Sequence, residues 1–355
     1  MSSTVEAVIV AGGFGTRMRP LTTRRPKHLL EVGGVPFLVH QISRLADAGV
    51  AHIVLATSYR ADLFEPVLGD GSRWGVRLDF VQEQEPLGTA GAIRNAAEVL
   101  GDDPDGTVVV LNGDVLSGHD LRAQLADFEK PRNGGQVDVS LHLVEVADAR
   151  PFGCVPTDEQ GRVEAFVEKS ELPLSNQVNA GCYVLRRRVV DEIPAGRVVS
   201  VERETFPRLV ADGRLVIGFV DTAYWRDVGT PEALVAASKD LVLGVAPSSA
   251  IDPEPSGAVI AQSAQVHAAA TVNGGSVVAD GAWVGAGAAV AGSVVMSSGV
   301  VEEDAVVIDS VVGPGAVVGR GVHLTGVTVG DGARVLPGVR VPEGERIDCD
   351  VEVSG

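Results

Sequence analysis

The chain has 355 residues, 45% hydrophobic and 4% aromatic, with 47 acidic against 29 basic side chains and a net charge of −18. That length holds one large domain plus a second, or two of comparable size. The charge argues against nucleic acid or an anionic membrane surface as a partner. Three widely spaced cysteines (Cys154, Cys182 and Cys349) suit neither a disulfide framework nor a zinc cluster. With no signal peptide and no apolar run of membrane-spanning length, the chain reads as cytoplasmic.

The first apolar run, Ala7-Val8-Ile9-Val10, reads as a short buried strand. It leads straight into Gly12-Gly13-Phe14-Gly15-Thr16-Arg17, then Arg19-Pro20 and Arg25-Pro26-Lys27. Glycine lets backbone N–H groups approach a ligand, because no Cβ intervenes. Arg17, Arg19, Arg25 and Lys27 add positive charge to an otherwise acidic chain with only four lysines. Such a loop is built to hold phosphates. It is neither a dinucleotide fingerprint, since Met18 stands where the third glycine belongs, nor a P-loop, since no Gly-Lys-Ser/Thr follows.

Apolar spacing predicts helices over 37–48, 60–67 and 90–100, with strands over 53–57, 76–81 and 107–111 between them. This alternation predicts a mostly parallel α/β sheet covered by helices, with ligands at the carboxyl ends of its strands. The glycine loop and Asn112-Gly113-Asp114 both follow strands, so both should reach that edge. A carboxylate such as Asp114 at a strand end suits a magnesium ion bridging phosphates. Residues 243–257, rich in proline, serine and glycine, read as a linker.

Beyond the linker, aliphatic residues recur every sixth position. Val278, Val284 and Val290 form one set, then Val295, Val301 and Val307, then Val312, Val318 and Leu324, then Val329, Val335 and Val341. A step of six within a set and five between sets repeats every 17 residues. This pattern fits a coil of three short faces, each contributing one inward aliphatic, stacked so that the ladder is buried continuously. Four coils are clear, and a less regular one lies over 260–272.

Residues 7–30 resemble the G-x-G-T-R-x-R-P-L-T…P-K signature of sugar-1-phosphate nucleotidyltransferases. The repeats resemble the left-handed parallel β-helix that commonly follows in that family. The resemblance implies a Rossmann-like catalytic domain over 1–245, a linker over 246–257 and a β-helix over 258–355. It implies that Ala11, Gly12, Gly13, Gly15, Thr16, Gly88 and Thr89 bind the nucleotide, and that Arg17, Lys27 and Lys169 act on the reacting phosphates. Asn112, Glu168, Lys169 and Asn179 would bind the sugar phosphate. Asp114 and Asp227, the latter in Trp225-Arg226-Asp227-Val228-Gly229-Thr230-Pro231, would hold Mg2+.

Glu83-Gln84-Glu85-Pro86-Leu87-Gly88-Thr89-Ala90-Gly91 resembles a segment of guanylyltransferases acting on mannose 1-phosphate. Guanine offers two adjacent donors that a carboxylate can accept together, so Glu83 favours GTP. The expected reaction joins an NTP, GTP favoured, to a sugar 1-phosphate, mannose 1-phosphate favoured, with release of pyrophosphate. A cyclitol 1-phosphate acceptor, thymidylyl or uridylyl transfer to glucose 1-phosphate, and a non-catalytic NDP-sugar-binding homologue remain alternatives. His28 stands where the family usually carries proline. The exposed flank of a short β-helix offers an assembly surface, which suggests a homo-oligomer.

Overall fold

The structure, a computed structural model, describes residues 5–132, 135–167 and 169–355. Its packing divides the chain into two compact units that do not follow chain order. Residues up to Gly13 join Gln41–Trp225 in one unit, and Phe14–His40 join Arg226–Gly355 in the other.

The first unit is built on a seven-stranded sheet. Its strands in chain order are β1 (Val5–Ala11), β2 (His52–Thr57), β3 (Arg77–Gln82), β4 (Thr107–Asn112), β5 (Val139–Glu145), β6 (Gln177–Arg186) and β7 (Val216–Asp221). Their spatial order is β7-β5-β6-β4-β1-β2-β3. All pairings are parallel except those of β6, which runs against both of its neighbours. The chain leaves β1 toward β2 and β3, then returns to the other side of β1 as β4. That reversal creates the crevice in which such sheets bind ligands. Ala7, Val8 and Ile9 are fully buried in succession, as expected of a central strand covered on both faces.

The helix predicted over 37–48 is α1 (Phe37–Asp47), and the one predicted over 90–100 is α2 (Gly88–Ala96). Helix α2 packs on β1 and β2. The helix predicted over 60–67 begins one residue late, because Arg60 takes a left-handed φ of 53°. A single 3-10 turn, Ala61–Leu63, follows it and leads into the short helix Phe64–Leu68.

A buried polar cluster lies in this unit. The His119 and His142 rings stack at 3.7 Å. His119 accepts from Arg44 at Nδ1 and donates from Nε2 to Gln124 Oε1 at 2.8 Å. His142 donates from Nε2 to Asp221 at 2.9 Å. Burial, then the neighbouring Arg44 and His142, holds the His119 pKa far below its ordinary value; His142 is lowered chiefly by burial.

The second unit carries the β-helix, with three parallel sheets of six, six and four strands. The predicted ladder is the observed register: Val278, Val295, Val312 and Val329 pair in succession, as do Val284, Val301, Val318 and Val335, and Val290, Val307 and Leu324. The less regular first coil is equally well paired: Ala258–Ile260, Gln265–Val266 and Thr271–Asn273 each sit against the coil above. Val341 departs from the ladder. Its segment is no strand, and the last coil resumes with Arg346–Ile347 and Glu352–Val353.

Ser276, Ser293 and Ser310 form a second column, buried at a corner of the coil. Each hydroxyl accepts the backbone N–H of the residue one coil on: Ser293, Ser310 and Val327, at 3.0–3.1 Å. Each also donates to a carbonyl of its own coil.

Helix α3 (Pro231–Val242) packs on Glu31–Val32 and on Ser276–Val278. The 243–257 segment is irregular but attached, since Ser248 Oγ bonds His40 Nδ1 at 2.7 Å and Ile251 lies against Gly33. Gly34 lies against Val259 and Val277. No helix among the described residues is long and apolar enough to cross a membrane.

Candidate functional site

In the first unit the sequence candidates gather at one edge of the sheet. Val10 of β1 pairs with Asn112 of β4, and the Gly113 N–H donates to the Val10 carbonyl at 2.9 Å. Because β6 runs the opposite way, its first residues reach the edge where the parallel strands end; Asn179 pairs with Leu143 of β5. Ala11, Gly12, Gly13, Asn112, Asp114 and Asn179 therefore share that edge. Ser58, which the sequence did not single out, fixes the loop by accepting the Gly13 N–H at 3.1 Å.

Glu83 follows β3 and is tied to β2 by its N–H, which donates to the Thr57 carbonyl at 2.8 Å. Its side chain is buried, 8% exposed. Oε2 would lie 3.6 Å from a Cβ on Gly12, so the bare glycine keeps the space before the carboxylate open. Oε1 has no hydrogen-bond partner among the described residues. Burial pushes the carboxyl pKa up, and a hydrogen bond from the Leu87 N–H opposes this. A buried acceptor with an unused oxygen costs free energy unless a ligand supplies the donor.

Gly88 begins α2 with its Cα pressed against Val199, where a Cβ would stand 2.6 Å from a carbonyl oxygen. The Thr89 hydroxyl is occupied internally. It donates to Glu202 Oε2 at 2.8 Å and accepts the Val201 N–H at 2.9 Å. Tyr183 Oη donates to Glu202 Oε1 at 3.2 Å and accepts from Asn179 Nδ2 at 2.9 Å. Burial, followed by the Glu202 charge, raises the Tyr183 phenol well above its usual pKa. Thr89 and Asn179 are thus joined through Glu202 and Tyr183, two residues that sequence reasoning missed. Nothing local marks Glu202, which lies 113 positions from Thr89. Lys169 is exposed. Glu168 lies outside the described residues.

In the second unit, Gly15 turns the glycine loop with a φ of 58° and starts the turn Thr16–Met18. The Gly15 carbonyl accepts from Thr22 Oγ1 at 2.8 Å. A Cβ on it would meet Thr22 and Lys27 at 3.1 and 3.2 Å. Thr16 and Arg17 are exposed, Lys27 is half-buried, and His28 is buried in the turn Lys27–Leu29. Arg17 Nη2 lies 3.8 Å from Asp227 Oδ2. Gly229 leaves room for both, since a Cβ there would stand 2.6 Å from Arg17 and 2.8 Å from Asp227.

Arg25, expected among the phosphate-binding charges, is committed elsewhere. Its guanidinium is forked onto the Asp331 carboxylate, at 2.6 and 3.3 Å. Arg24 pairs with Asp350. The sequence could not show this, because both partners lie more than 300 residues away in the repeats.

Among the described residues no group of three or more His, Cys, Asp or Glu side chains could hold a metal. Magnesium takes one or two carboxylates and fills its shell with water and phosphate oxygens. Half-buried Asp114, and Asp227 in its glycine-lined cradle, fit that chemistry.

A family model described as Nucleotidyl transferase matches residues 6–242, and one described as GMPPB C-terminal domain matches 256–346. The chain is 55% identical over 248 residues to a mannose-1-phosphate guanylyltransferase of Mycobacterium tuberculosis, covering 70% of this chain and 67% of that protein. It is 38% identical over 229 residues to a probable mannose-1-phosphate guanylyltransferase of Oryza sativa subsp. japonica, covering 64% of this chain and 62% of the relative. The chain thus spans roughly two thirds of the length of these curated relatives. Among solved structures it is similar to HddC from Yersinia pseudotuberculosis complexed with GMP-PN. That likeness has a TM-score of 0.55 and 30% identity over 65% of this chain and 97% of the other.

Proposed function

The chain belongs to the nucleotidyl transferase family, and we propose that it transfers the guanylyl group of GTP to mannose 1-phosphate, releasing pyrophosphate and GDP-mannose. The observation that carries the choice of base is Glu83: a buried carboxylate whose Oε2 faces the bare backbone of Gly12 and whose Oε1 has no partner among the described residues. It suits the adjacent N1–H and amino donors of guanine, whereas thymine and uracil present one donor between two acceptors. The names of the similar mycobacterial and rice proteins support the same substrates.

In this reading a phosphate oxygen of mannose 1-phosphate attacks the α-phosphorus of GTP, and the bond to pyrophosphate breaks on the opposite side. The nucleophile is already anionic, so no strong general base is needed. Positioning and charge neutralisation supply most of the rate. Arg17 and the backbone N–H groups of the glycine loop hold the departing pyrophosphate. Lys27 neutralises the nucleotide phosphates, and Lys169 holds the phosphate of the sugar. Asn112 and Asn179 meet the sugar hydroxyls. Enzymes of this family generally use a divalent metal. Asp114 and Asp227 would hold magnesium, which when bound offsets charge on the reacting phosphates.

The test is pyrophosphate release in the presence of magnesium, with GTP, dTTP, UTP, ATP and CTP each offered a panel of hexose and cyclitol 1-phosphates. Release with GTP and mannose 1-phosphate is expected. Release only with dTTP or UTP would overturn the base assignment, and a preference for another phosphate would overturn the sugar.

A further inference from the structure

We propose that the last two coils of the β-helix clamp the phosphate loop, with Asp331 and Arg346 as positioning residues for GTP. The inference rests on the reading that this loop holds the nucleotide phosphates.

Four side chains of these coils carry it (Asp331, Arg346, Cys349 and Asp350), all within the second unit. Asp331 is 4% exposed in its side chain and receives the Arg25 guanidinium through two bonds. A forked pair of this kind fixes direction as well as distance. Removing one partner leaves a buried charge uncompensated. Arg346 Nη1 donates to the Arg17 carbonyl at 2.8 Å and to the Arg19 carbonyl at 3.4 Å. Its Nη2 donates to Glu232, near the start of α3, at 2.9 Å. The Cys349 thiol reaches the Pro20 carbonyl at 3.6 Å, and Arg24 pairs with Asp350. Side chains from 331–350 therefore hold the backbone of 17–20 and the side chains of 24 and 25, within and just after the turn that presents Arg17.

The loop has little structure of its own to replace these contacts. Its regular elements are the one-turn segments Thr16–Met18 and Lys27–Leu29. Losing the clamp leaves the cations present but unplaced. A displacement of about 1 Å at a reacting group can cost on the order of a hundredfold in rate.

The experiment uses full-length Arg346→Gln and Asp331→Asn, each checked by thermal melting. Arg346 is partly solvent-exposed, so its variant keeps the test informative should Asp331→Asn fold poorly. Binding of magnesium–GTP is titrated calorimetrically, and steady-state constants are measured for both substrates. GTP binding weakened about tenfold or more is expected, with the KM for mannose 1-phosphate changed less than about twofold. The exchange Arg25→Asp with Asp331→Arg should recover part of the GTP affinity lost in Asp331→Asn. Unchanged GTP binding in folded variants would overturn the proposal, as would equal losses for both substrates. Should the wild type bind GTP but release pyrophosphate with no sugar phosphate, the proposed reaction falls while the binding titration still decides the clamp.

Discussion

Glu83 carries two separable consequences at the scale of a single side chain. To accept both guanine donors its carboxyl must be ionised, and burial raises the pKa at which that happens. GTP affinity should therefore be complete above that raised pKa and fall as pH drops through it. Glu83→Gln replaces one acceptor with a donor. It should raise the KM for GTP about tenfold to a hundredfold and remove the acidic fall in GTP binding, as KM measured across pH will show. A wild-type KM in that variant would leave guanine recognition to other groups. Glu202 acts differently, since Thr89, Ser200 and Tyr183 already hydrogen-bond its carboxylate. Glu202→Gln should disturb Asn179 through Tyr183 and raise the KM for the sugar phosphate more than that for GTP.

Among the elements, the stacked histidines make stability depend on pH. Both have folded pKa values below 6.5, so the unfolded chain takes up protons that the native chain refuses. Stability should be full well above pH 6.5 and decline on acidification, by up to about 1.4 kcal/mol per pH unit from His119, with His142 adding a loss of the same sign. Urea melts between pH 7.5 and 5 will measure the slope, and His142→Gln should reduce it. In the β-helix, Leu324 is fully buried on its ladder. Leu324→Ala should cost about 2–5 kcal/mol, read as a lower midpoint for the C-terminal transition. The aliphatic ladder was legible because a step of six is local and repeats. The serine column shares the same 17-residue period, but its hydrogen bonds emerge only once coils are stacked. The helix over 60–67 opens as a 3-10 turn after a left-handed Arg60, a detail that side-chain spacing does not carry.

Across the whole chain, what could be read divides along the same line. The glycine loop, the strand-end Asn112-Gly113-Asp114 and the parallel sheet each rest on a few neighbouring residues. The Arg25–Asp331 pair and the Thr89–Glu202–Tyr183–Asn179 series join residues far apart, and so required the fold. Residues 14–40 belong by packing with 226–355 rather than with the strand they follow.

Gly34 touches the first two coils, while Arg25 and Arg24 reach the last two. The segment between them spans the stack lengthwise and acts as a ruler. Stacked strands are about 4.8 Å apart, and nothing in the repeat itself limits how many can be added. Inserting a second copy of 294–310 should therefore give a longer, cooperatively melting β-helix. Its Asp331 would be carried one coil too far, leaving Pro314 at the level of Arg25. Such a chain should bind GTP as weakly as Asp331→Asn: the number of coils is set by the loop they must meet.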